Sequence, residues 1–135
     1  MSGFSFFRIN WITLPESLDV LEHWLLGKYE KSMDLVEDKE PYGYDYRLAD
    51  LCGIYVGEVY RRQLGGTWYM ILDQPKNAYY KLPSLRYETR TGPYYICPLT
   101  LATACIQRKR GDYMRWVLGN YIEEKKQRES GKREP

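Results

Sequence analysis

The sequence predicts a single α+β domain: two N-terminal helices, a small antiparallel sheet of three or four strands, and one or two C-terminal helices. Three observations predict it. Apolar residues recur at spacings of three and four in the first half of the chain, which is the period of a half-buried helix. Between Thr67 and Cys97 they alternate in short runs broken by Pro, Gly and Asn. After Pro98 the helical spacing returns. A chain of 135 residues, 44% hydrophobic and 28% charged, suits one domain that closes its own core without metal or disulfide support.

In chain order, Phe7, Ile9 and Trp11 alternate with Arg8 and Asn10, so the chain opens on a short strand or extended arm. Thr13-Leu14-Pro15-Glu16 has the form of a capping box and starts a helix whose buried stripe is Leu18, Leu21, Trp24 and Leu25. Glu16, Asp19 and Glu22 fall on its other faces, and it ends near Tyr29 or continues to Val36. Acidic residues from Asp34 to Glu40 and then Pro41-Tyr42-Gly43 make a turn-rich connection.

The stretch from Arg47 to Asp73 organises the rest. Leu48, Leu51, Cys52, Tyr55 and Val59 form one apolar face, with Asp45 placed to cap the first turn and Gly65-Gly66 to stop the last. Thr67 to Leu72 then has strand composition. Gly53 and Gly57 lie inside this helix, where each costs about 1 kcal/mol relative to alanine. They are four apart and share a face, so another backbone or a large ring such as Trp68 or a tyrosine is expected to rest on it. Glu58 has Arg61 and Arg62 three and four residues ahead, the spacing of an ion pair within a helix, with a carboxylate at a polar site as the sharper alternative.

The pattern Gly53-x-Tyr55-x-Gly57-Glu58, followed by Gly65-Gly66-x-Trp68 at a strand start, resembles small bacterial domains, some of which are immunity proteins encoded beside polymorphic toxins. The match covers about a sixth of the chain. It implies an intracellular binding domain with helices ahead of a short sheet, and it carries over no catalytic residue.

Further on, Asp73-Gln74-Pro75-Lys76-Asn77 has the chemistry of a hairpin loop, Ala78 to Leu82 returns as a strand, and Pro83 interrupts it. Leu85 and Tyr87 continue the alternation, Thr89-Arg90-Thr91-Gly92 turns, and Tyr94 to Cys97 forms the last strand. Leu99, Ala102, Cys105 and Ile106 mark a helix opened by Pro98 and closed at Arg108-Lys109-Arg110-Gly111. Asp112 can cap a final helix with the stripe Met114, Val117, Leu118, Tyr121 and Ile122. Residues 1–126 then form the globular domain, and the remaining residues, 127–135, lack large apolar side chains and read as a flexible charged tail.

The chemistry is negative in most classes. Gly65-Gly66 lacks the frame of a phosphate loop, and one histidine with three scattered cysteines makes no zinc site, so no cofactor or metal is expected. His23 with a cysteine is the only conceivable nucleophilic dyad, and Cys52, Cys97 and Cys105 fall in core positions. No segment reaches the length of a membrane span and the opening lacks the form of an export signal, so a cytoplasmic location is expected. Charge is uneven: nine acids against three bases from Glu16 to Asp45, and nine bases against five acids from Ile106 onward.

Tyrosine stands out, with 14 copies, more phenols than a small core can enclose with every hydroxyl satisfied. Some are therefore expected at a surface, where tyrosine favours protein contacts. The expected function is a protein-binding module, in its sharpest form an immunity-type inhibitor of a toxin, with Tyr42, Tyr44, Glu58, Tyr79 and Tyr95 as candidate partner-binding residues. The alternative is a nucleic-acid binder using Arg61-Arg62, Arg108-Lys109-Arg110 and Lys125-Lys126 with exposed tyrosines. Last comes a small enzyme built on Glu58, Asp73 and Tyr55.

Overall fold

The computed structural model describes residues 14–40 and 47–131. The expected N-terminal strand, the Thr13 cap, the Asp45 cap, and Tyr42 and Tyr44 lie outside them. Among the described residues the protein is α+β, with five helices and three strands.

Helix α1, Ser17–Lys28, buries Leu18, Leu21 and Leu25 on one side. It stops at Tyr29, whose amide still reaches the Leu25 carbonyl while its own backbone is extended. A separate short helix α2, Ser32–Glu37, follows, its first turn closed by the Asp34 carboxylate on the Lys31 amide at 3.0 Å. The two lengths open for the first helix thus resolve into a break. Helix α3, Leu48–Leu64, is the centre of the core, with Leu48, Cys52, Val56, Val59 and Tyr60 fully enclosed. Gly65 and Gly66 end it at positive φ, 78° and 89°, a conformation that a side chain disfavours.

Strand β1 is Thr67–Met70, β2 is Pro83–Thr89 and β3 is Gly92–Ile96, joined as an antiparallel meander in the order β1-β2-β3. The strand expected over residues 78–82 is not there. The Asn77 side-chain oxygen takes the Tyr79 amide at 2.9 Å, the Asn77 and Tyr79 carbonyls take the amides of Tyr80 and Leu82, and Lys81 sits at φ 61°. Local turn bonds win the backbone there, leaving one bridge between Ile71 and Tyr80. Pro83 begins a strand where the sequence reading has it interrupting one.

Helix α4, Pro98–Arg108, lies along α3 and buries Ala102, Cys105 and Ile106. Helix α5, Tyr113–Gly131, crosses α1, α3 and α4 and runs through Gln127, past the point at which the sequence suggests a tail. Its start corrects two expectations. The Asp112 carboxylate pairs with Arg110 at 3.1 Å, and the free amides of the first turn, Tyr113 and Met114, donate at 2.8 and 2.9 Å to Glu22 of α1. Glu22, expected outside the buried stripe of α1, is completely buried and caps a helix 91 residues later in the chain.

Candidate functional site

The glycine face of α3 is filled as its spacing requires. A Cβ on Gly57 would stand 2.1 Å from the Trp68 ring and 3.0 Å from Pro98, whereas one on Gly53 would make an ordinary 3.6 Å contact with Leu99, whose backbone passes at 3.7 Å. A ring covers one glycine and a backbone the other. Trp68 is fixed there by its indole N–H, which donates to Glu58 at 2.9 Å, and the same carboxylate takes two bonds from Arg61 at 2.9 and 3.1 Å. The Arg61 guanidinium holds the Glu58 carboxyl below its ordinary range, with the Trp68 bond adding to it against the opposing effect of burial. Glu58 is an ion-paired anchor for Trp68 and has no second acid bonded to it among the described residues.

The register then divides the sheet. Trp68 pairs with Leu85 and faces the helices, while Tyr69 and Arg86 alternate to the other face, where Arg86 pairs with Tyr95. On this open face the Tyr69 and Tyr95 rings are 5.7 Å apart and the Arg86 guanidinium lies 5.0 Å from the Tyr69 ring, with Glu88 holding Arg86 at 2.7 Å. Beside it runs the edge of β1, which pairs with no further strand among the described residues. Trp68 is 37% exposed, Tyr69 37%, Met70 42% and Leu72 62%, so the edge carries apolar side chains and no charge.

Around the end of the β2–β3 hairpin, a groove of about 690 Å³ opens between the hairpin, the end of α3 and the last turns of α5. Its cations are Arg86, Arg90, Lys125 and Arg128, and its acids are Glu88 and Glu129. Tyr87 and Tyr94 stack in its wall at 5.0 Å and 14°, and Arg128 covers Tyr94 at 5.6 Å while its Nη2 donates to the Tyr94 hydroxyl at 3.4 Å. The Tyr87 hydroxyl is enclosed and has no hydrogen-bond partner among the described residues. An unmet buried hydroxyl costs about 1–3 kcal/mol. Burial pushes the Tyr87 phenol well above the ordinary tyrosine range, so it stays a donor.

The sequence-derived candidates do not gather. Glu58 lies on the helical side of the sheet, Tyr95 on its open face and Tyr79 in the turn-rich connection. Tyr55, offered as a partner of Glu58, is buried and donates to Ser17. The basic clusters stay apart too: Arg110 precedes the start of α5 at Tyr113, and Lys125 lies about 18 Å further along that helix at 1.5 Å per residue. Arg61 is pinned by Glu58, Arg108 lies over Tyr113, and Lys109 donates to the Glu30 carbonyl at 2.7 Å. His23 is exposed against Gly111, and all three thiols are buried, with burial raising Cys52 to about 12. Among the described residues no group of His, Cys, Asp and Glu could hold a metal ion, and no helix is long and apolar enough to cross a membrane.

Sequence reasoning missed Tyr69, Arg86, Arg90 and Arg128. The alternation of Tyr69 with Trp68 was the available signal for the first; the others depend on pairing between distant segments. No protein-family model, curated protein or solved structure matches the chain.

Proposed function

We propose that the protein is a protein-recognition module whose contact surface is the open face of the sheet and the adjoining edge of β1, with inhibition of a toxin encoded beside it as the sharper form. The exposed row of Trp68, Tyr69, Met70 and Leu72 carries this reading. An uncharged apolar edge beside a tyrosine face, as the described residues present it, is open to association unless a partner covers it. Tyr69 and Tyr95 supply area at low side-chain entropy cost, Arg86 supplies a directional cation, and all three are held by neighbours before any partner arrives. A base-stacking role is less well supported, because Tyr69 is covered by Arg86 and Tyr94 lies between Tyr87 and Arg128.

The test is affinity capture from the source cells with the full chain and with a Tyr69→Ala/Tyr95→Ala variant, both nuclease-treated. The expected result is a stoichiometric protein partner retained by the first and held at least about tenfold more weakly by the second. Equal capture by both, or recovery of nucleic acid alone, overturns the proposal.

A further inference from the structure

We propose that the groove between the β2–β3 hairpin and α5 is a binding site for a small oxyanionic ligand bearing phosphate or carboxylate groups. Three of its four cations have no ion pair among the described residues. Arg86 is neutralised by Glu88, but among the described residues Arg90, Lys125 and Arg128 have no carboxylate within ion-pairing distance, and Glu124 and Glu129 of α5 act on Arg128 only from further off. Lys125 gives only a long bond of 3.4 Å to the Leu64 carbonyl, which leaves ammonium donors free.

Two features make this more than a charged surface. Arg128 is held in place by the face and hydroxyl of Tyr94, so a planar fork is oriented beforehand, as bidentate recognition of an oxyanion requires. Tyr87, 9% exposed, stacks on Tyr94 in the same wall at 5.0 Å, so the ring that carries Arg128 is itself held. The volume, about 690 Å³, falls in the range that encloses a small organic molecule. The inner tyrosine faces are already stacked, so the groove selects by charge and hydrogen bonding.

This inference does not rest on the recognition proposal, and its variants leave Tyr69 and Tyr95 intact. The experiment is titration of the full chain with pyrophosphate and, separately, with citrate, followed by calorimetry and by amide chemical shifts. One or both probes should saturate, moving the amides of Arg90, Tyr94, Lys125 and Arg128; preference for pyrophosphate assigns a phosphoryl ligand and preference for citrate a carboxylate. Arg90→Ala/Arg128→Ala should weaken binding at least about tenfold, Arg128→Lys severalfold, and Arg62→Ala not at all. Absence of saturable binding, or unchanged affinity in the double arginine variant, overturns the site.

Discussion

Gly53 and Gly57 share a face of α3, yet the structure gives them opposite tolerances. Gly57→Ala drives a methyl into the Trp68 ring and is expected to cost about 1–3 kcal/mol in chemical denaturation, with a shift in tryptophan emission. Gly53→Ala meets only an ordinary contact and is expected to be neutral or to stabilise by up to about 1 kcal/mol through helix propensity. Glu58 carries a pH signature. Its folded carboxyl titrates below the ordinary 4.5, so its contribution is complete above that value and is lost as pH falls through the folded value. Denaturation midpoints of Glu58→Gln should therefore fall less steeply with acid than those of the parent, by well under about 1 kcal/mol for a pair this exposed. The sequence let the glycine spacing, its Trp68 cover and the Glu58–Arg61 pair be read, because these lie within one helix or just beyond it, whereas Leu99, which covers Gly53, comes from α4.

At the level of elements, legibility follows the range of the deciding contact. Helices α1, α3 and α4 show in the sequence because each carries its own apolar stripe. The turn over residues 78–82 does not: its tyrosines favour a strand, and a side-chain bond from Asn77 decides otherwise. The start of α5 is less legible still, since Asp112 looks like its cap while Glu22 of α1 provides it. Replacing Glu22 by Gln keeps one acceptor and removes the buried charge that answers the helix end. The expected loss is about 2 kcal/mol, with faster amide exchange at Tyr113 and Met114 than elsewhere in α5. Uniform exchange along α5 would show that the cap does not hold the helix in register.

Across the whole molecule, tyrosine content pointed to a surface role without pointing to the surface. Among the described residues Tyr29, Tyr55, Tyr60 and Tyr87 are buried, and the first three have bonded hydroxyls; Tyr69 is exposed, and Tyr79, Tyr80, Tyr94, Tyr95, Tyr113 and Tyr121 are partly so. Among the described residues the helices cover one face of the sheet and leave the other, and this division is set by strand register, which no single segment encodes. Charge asymmetry between the halves is met in part by Arg115 of α5 pairing with Asp19 of α1, while Arg110 pairs locally with Asp112, and cations without an ion pair among the described residues gather where a hairpin tip meets the end of a helix.

The most direct measurement is amide hydrogen exchange on the captured complex against the free chain. The expected result is new protection over residues 67–70 and 92–96. Unchanged exchange there, with protection confined to α1 or α2, would contradict recognition through the open face of the sheet.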